Sequence, residues 1–289
     1  MSLTSTNRTM AALKKNAAML AQKNKYILGD RTRPAKKGIV NFEWWSTGDG
    51  ATRENVGDTL GPVICDWLIG RRPVTDNGQD TRFLLTVGSV LGQSLNDATV
   101  WGSGLLKPKT PRTFTPRFCH LDIRAVRGPQ TRRILLEKGY SVPEVYGDPG
   151  ILMPLIYTPQ VNHPKDVLFV PHHKSHFDFH DCKGLRTISP IGTTYSEFID
   201  ALANSSLVVT GSLHAVILAE AYGCPAILVA DRENFSDFKY RDWYESTGRN
   251  SFPVVENVRA ALGTTPCEIP DLTALRDGLL NSFPYDLWE

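Results

Sequence analysis

The chain has 289 residues, 32 Lys+Arg against 30 Asp+Glu, and 41% hydrophobic residues. That length fits about two domains of roughly 150 residues, and the apolar share is enough for real cores, which excludes disorder along the whole chain. The net charge of +2 excludes a molecule-wide nucleic-acid footprint. Cys65, Cys119, Cys182, Cys224 and Cys267 are odd in number, far apart and never in a CxxC pair, which argues against a disulfide framework and a structural zinc site and for a reducing, cytoplasmic compartment. No apolar run reaches the roughly 18 residues of a membrane span.

Residues 7–25 read as an amphipathic helix, with Met10, Leu13, Ala17 and Leu20 on one side and Lys14, Lys15, Lys23 and Lys25 around them. Packing on the body is the plain reading, and peripheral contact with an anionic membrane the alternative. Residues 38–45 predict a first strand, and Trp44 and Trp45 then open a loop through Gly48-Asp49-Gly50. A helix is expected over 58–69 with Asp58 as its N-cap. Residues 83–87, 99–101 and 121–126 are short apolar runs, and a helix over 130–138 should stop at Gly139. The proline-rich stretch 142–164 reads as the crossing between two halves. Beyond it, 167–170, 187–189, 207–210 and 226–230 read as strands, and 195–204, 213–222, 253–262 and 272–280 as helices. The alternation predicts an α/β fold with parallel sheets. It divides the chain into an extension (1–37), two parallel α/β domains (38–160 and 161–262) and a closing helix (263–289).

In open α/β sheets ligands lie beyond the carboxyl ends of the strands, so the segments after each strand carry the candidates. Asn55-Val56-Gly57-Asp58 leads into a helix start, where backbone N–H groups suit an anion; plain N-capping by Asp58 is the competing reading. Gly102-Ser103-Gly104 is a small-residue turn able to cradle an anion. Arg127 follows a strand and precedes a helix, placed for bidentate binding of a carboxylate or phosphate, or for an interdomain salt bridge. Gly211-Ser212-Leu213-His214 opens another helix, and His214 there can pass a proton either way near neutral pH. Glu220 and Tyr222, on the same helix, read as packing or solvated residues. The run from Pro171 to Asp181 holds His172, His173, His176 and His180, but lacks tight metal-ligand spacing. One of His172, His173 or Lys174 is expected to meet an anion, with His176, Phe177, His180 and Asp181 in a mobile loop. The mixed charge and aromatic run 238–244 reads as a closing amphipathic helix or as a sugar-facing surface.

Taken in order, Asn55-Val56-Gly57-Asp58, Val100-Trp101-Gly102-Ser103-Gly104, Arg127-Gly128-Pro129, Tyr146-Gly147-Asp148-Pro149, Val170-Pro171-His172, Ser212-Leu213-His214-Ala215 and 219–225 resemble the polysaccharide pyruvyl transferase family. Lys239–Trp243 resembles a late motif of the same family. The resemblance implies two Rossmann-like domains facing a cleft, GT-B-like. It implies transfer of pyruvate from phosphoenolpyruvate to two hydroxyls of an exopolysaccharide or capsule precursor, giving a cyclic ketal. His214 is then the expected general acid or base, Arg127 the donor-binding cation and Asp58 a helper orienting an acceptor hydroxyl. Asn55, Gly57, Gly102, Ser103, Gly104, His172, Lys174, Ser212 and Leu213 are the expected substrate contacts. Ser212 stands where some members carry arginine, so that donor contact is either missing or supplied from elsewhere, by Lys174 or Arg232. No cofactor and no metal are expected. The expected partners are phosphoenolpyruvate and a saccharide acceptor, free or lipid-linked, with no nucleic acid and at most peripheral membrane contact. The alternatives are a GT-B-type nucleotide-sugar glycosyltransferase and an inactive sugar-binding homologue.

Overall fold

A computed structural model of the chain describes residues 40–42, 55–70, 82–92, 97–110, 112, 114–162, 166–172, 184–230 and 237–288. The helix expected over 7–25, the Trp44–Gly50 loop, the run from His173 to Asp181 with Lys174, and Arg232 lie outside these residues.

Two all-parallel sheets form the frame. The first has β1 (Val40–Phe42), β2 (Arg82–Leu85), β3 (Ala98–Trp101) and β4 (Leu121–Ala125) in sequential order. The second has β5 (Asp166–Val170), β6 (Arg186–Thr187), β7 (Ser205–Thr210), β8 (Ala226–Val229) and β9 (Val254–Val255), ordered β6-β5-β7-β8-β9. Parallel strands are covered on both faces and so read as continuous apolar runs; Ala226-Ile227-Leu228-Val229 is buried at every position. The second sheet follows the expected βα alternation, with α3 (Tyr195–Ala203) before β7, α4 (Leu213–Ala221) before β8 and α5 (Asp237–Ser246) before β9. Thr194 and Glu197 close a capping box at the start of α3.

The first sheet departs from that alternation. Helix α1 (Leu60–Ile69) lies between β1 and β2, and α2 (Pro129–Glu137) follows β4. Among the described residues no helix joins β2 to β3 or β3 to β4. The N-cap position of α1 is Thr59, not Asp58, which leaves the Asp58 carboxylate for other contacts. Residues 253–262 are not one helix: Val254-Val255 adds a strand beside β8, and Asn257, whose side chain accepts from the Ala260 N–H, caps a short helix α6 (Val258–Leu262).

The crossing segment is no solvent-facing linker. Residues Pro149–Leu155 form a 3-10 helix, η1, in which Ile151, Leu152 and Met153 are fully buried. It packs against α1 and α4. One apolar cluster therefore runs through both halves, from Leu60, Ile64 and Trp101 through Ile151 to Leu168, Ile217 and Trp243. Helix α7 (Thr273–Asn281) completes it: the Trp101 indole donates to Leu279 O at 3.0 Å, and Arg276 donates to Ile151 O and Ala221 O. Among the described residues, no helix is long and apolar enough to cross a membrane.

Candidate active site

The centre of the site is built at the end of β7. Thr210 Oγ1 donates to Val170 O at 2.8 Å and accepts the Ser212 N–H at 2.8 Å. The Tyr240 hydroxyl donates to Gly211 O at 2.7 Å, so the turn into α4 is held from both sides. The helix starts at Leu213, with Ser212 in extended conformation at the N-cap and no side-chain cap bond. First-turn amides of a helix have no intrahelical acceptor and carry the positive end of the dipole. His214 stands in that turn. The far end of α4 is fixed by Glu220, which is buried and neither solvated nor merely packed: it accepts from Arg249 at 2.6 and 2.8 Å and from the Trp243 indole at 3.0 Å.

The imidazole faces two carboxylates from the first half. His214 Nδ1 lies 3.9 Å from Asp58 Oδ1, and Nε2 lies 4.0 Å from Asp148 Oδ2. Both separations exceed a hydrogen bond. An imidazolium here would have a carboxylate opposite each ring nitrogen. Only 12% of the His214 side chain is exposed, so water screens these charges weakly.

Two glycines make the approach possible. A Cβ on Gly57 would stand 2.0 Å from His214 Nδ1. Gly88 has φ +100°, and a Cβ there would meet Asp58 Oδ1 at 2.7 Å. Asn55 holds the first turn by accepting the Gly57 N–H at 3.0 Å, and the Val56 N–H donates to Pro190 O in the second half. Gly57→Ala should therefore displace the ring and reduce turnover by at least roughly tenfold, while far-ultraviolet circular dichroism stays unchanged. Unchanged turnover would show that the ring position does not matter.

Asp148 is the site residue that reading the sequence missed. It was visible only as part of Tyr146-Gly147-Asp148-Pro149, where an Asp before Pro-Gly looks like a turn former. The side chain is fully buried; Oδ1 accepts the Gly150 N–H at 2.9 Å and Oδ2 faces the Gly88 N–H at 3.5 Å. Burial raises its pKa from 3.8 to about 6, against the opposing pull of those N–H groups and of Arg127. A carboxyl that titrates near neutrality beside an imidazole is a recurrent mark of proton-transfer sites.

The remaining candidates fall into two groups. Ser212 and Leu213 begin the His214 helix, and His172 packs against Gly211, where an added Cβ would meet it at 3.1 Å. Arg127 is engaged elsewhere. It is wholly buried and donates to Asp242 Oδ2 at 3.0 Å, Ser89 Oγ at 2.6 Å and Leu105 O at 2.7 Å. This is the cross-molecule salt bridge, not an exposed fork awaiting a ligand. The Gly102–Gly104 turn is also occupied internally, in place of the expected anion cradle. Its Gly102 N–H donates to Ala125 O, its Gly104 N–H to Gly88 O and its Ser103 hydroxyl to Gly88 O. The turn thus holds the Gly88 loop, which in turn meets Asp148. The 238–244 run is the helical alternative: Tyr240, Asp242, Trp243 and Tyr244 of α5 are buried.

The family model described as polysaccharide pyruvyl transferase matches residues 89–232, a span that includes Arg127, Asp148, His172 and His214. The succinoglycan biosynthesis protein ExoV of Rhizobium meliloti (strain 1021) is 30% identical over 210 residues, covering 67% of this chain and 62% of that protein. The chain thus matches less than two thirds of that relative's length.

Proposed function

The chain belongs to the polysaccharide pyruvyl transferase family, and we propose that it transfers pyruvate from phosphoenolpyruvate to two hydroxyls of a saccharide in an exopolysaccharide or capsule precursor. The observation that carries this reading is His214 at the start of α4, set between Asp58 and Asp148. The product is a cyclic ketal and inorganic phosphate. The enol methylene takes a proton, the adjacent carbon becomes oxocarbenium-like, and one sugar hydroxyl adds to it. Phosphate then leaves with the C–O electron pair, and the second hydroxyl closes the ring. Of the two hydroxyl protons, one replaces the proton given to the methylene and the other goes to the departing phosphate, so the reaction balances without electron transfer.

In this reading His214 delivers the proton to the methylene carbon, and Asp148 stabilises and reorients the charged ring. Asp58 is placed to accept a proton from an attacking hydroxyl. The donor phosphate lies over the first-turn amides of α4, with His172 and Lys174 as side-chain partners and Ser212 lining the approach. Arg127 works from behind, holding Ser89 and so the Gly88 loop. The site occupies the mouth between two Rossmann-like domains. Phosphoenolpyruvate is a cytoplasmic metabolite, so the reaction belongs in that compartment.

The test is phosphate release by the full chain from phosphoenolpyruvate with oligosaccharide precursors, free and lipid-linked, alongside the mass of the product. Acceptor-dependent phosphate with a pyruvate ketal on the sugar is the expected result. Thermal stabilisation by UDP- or GDP-sugars but not by phosphoenolpyruvate would overturn the assignment in favour of glycosyl transfer.

A further inference from the structure

Between Asp97 and Asp122 the sequence carries Lys107, Lys109, Arg112 and Arg117 and no acidic residue. These four charges on a single connection exceed the +2 of the whole chain. The connection leads from β3 to β4 and is anchored from below. Leu105, Phe114 and Cys119 are buried, the Phe114 ring packs against Tyr140 at 5.6 Å, and the Phe118 and Cys119 amides both donate to Thr115 O. Between the anchors the four cations face solvent, together with Leu106 (41% exposed) and Phe118 (57% exposed). The Arg117 guanidinium lies over the Phe118 ring at 5.3 Å.

Exposed cations interleaved with large apolar side chains match the two layers of an anionic bilayer surface. Lys and Arg meet the headgroup charge, while Leu and Phe enter the headgroup–acyl boundary. A purely acidic soluble partner would leave Leu106 and Phe118 without a role. We propose that this connection docks the protein on an anionic lipid bilayer. The docking segment starts at Leu105, whose carbonyl accepts from Arg127 and whose N–H donates to Thr131 Oγ1, so it leaves the body beside the network behind the Gly88 loop.

The test uses the full chain, without substrate, in flotation with phosphatidylcholine vesicles and with vesicles in which about a third of the lipid is phosphatidylglycerol. Binding should favour the anionic vesicles by at least roughly tenfold, and the preference should fade as salt rises well above ~0.1 M. Replacing Lys107, Lys109, Arg112 and Arg117 together by glutamine should bring binding down to the neutral-vesicle level with an unchanged melting midpoint. Leu106→Ser with Phe118→Ser should remove the salt-resistant remainder. Equal binding to both vesicle types would overturn the proposal. So would a glutamine variant that still binds anionic vesicles like the parent, because attachment would then reside elsewhere, for instance in the lysine-rich residues 7–25. Since no substrate is present, failure here leaves the transfer reaction untouched.

Discussion

His214→Gln should lower phosphate release from phosphoenolpyruvate by roughly 10²–10⁴-fold, the usual weight of a positioned proton donor, with the fold intact. Glutamine fills similar space against Gly57 but cannot pass a proton. The companion change, Asp148→Asn, should separate activity from stability. The folded-state pKa of Asp148 lies above its ordinary value, so the native protein binds this proton more tightly than the unfolded chain does. That contribution to stability is complete below pH 3.8 and is lost as pH rises to about 6. At neutral pH the buried ionised carboxylate is thus a cost, bounded at about 3 kcal/mol by roughly 1.4 kcal/mol per pH unit. Asparagine should remove that cost while still accepting from Gly150. Urea unfolding should show a gain at pH 7.5 that shrinks toward pH 4, while turnover falls. The acid limb of the parent's pH–rate profile near pH 6 should vanish in the variant. Full turnover in Asp148→Asn would remove the carboxylate from the mechanism, and a loss of stability at neutral pH would show that its hydrogen bonds outweigh its burial.

The sequence made the frame readable where physics is local. Buried parallel strands are β-branched runs such as Val208-Val209-Thr210, and the glycine and serine after that strand mark where the helix carrying His214 begins. What escaped was set by partners far away in the chain. Asp148 reads as a turn residue until Gly88 and His214 are brought against it. Gly57 reads as a glycine that lets a ligand approach the backbone, whereas the group that crowds it is the His214 imidazole. The segment 149–155 carries Pro and Gly, which signal a surface loop, yet it is buried because α1 and α4 close over it. Asp58 looked like an N-cap since it precedes the apolar run, but the helix begins one residue later and the carboxylate turns toward His214 instead. Arg127 stood correctly after a strand, but its environment depends on Asp242, 115 positions away.

That pair gives the largest expected effect on stability. Neither Arg127 nor Asp242 has any exposed side-chain surface, and their charged atoms approach to 3.0 Å. Asp242 also accepts the Thr131 N–H at 2.8 Å and the Thr131 hydroxyl at 2.6 Å, so one carboxylate on α5 joins the strand β4 exit to the start of α2. Asp242→Ala leaves a buried guanidinium without its counter-charge, which typically costs about 3–5 kcal/mol. Against a usual total of about 5–15 kcal/mol, that is a large part of the whole. Arg127→Met should cost less than Asp242→Ala, because it leaves Thr131 still bonded to the carboxylate. The double variant Arg127→Met/Asp242→Ala should recover part of the loss, since it strands no charge but still deprives Thr131, Ser89 and Leu105 of partners. A double-mutant cycle in urea should therefore give a coupling of at least about 2 kcal/mol. At temperatures where Arg127→Met remains folded, its KM for phosphoenolpyruvate should stay near the parent value, because the guanidinium is enclosed behind the Gly88 loop. The opposite pattern, a selective rise in donor KM with little change in unfolding, would mean that Arg127 leaves Asp242 to grip the donor during turnover.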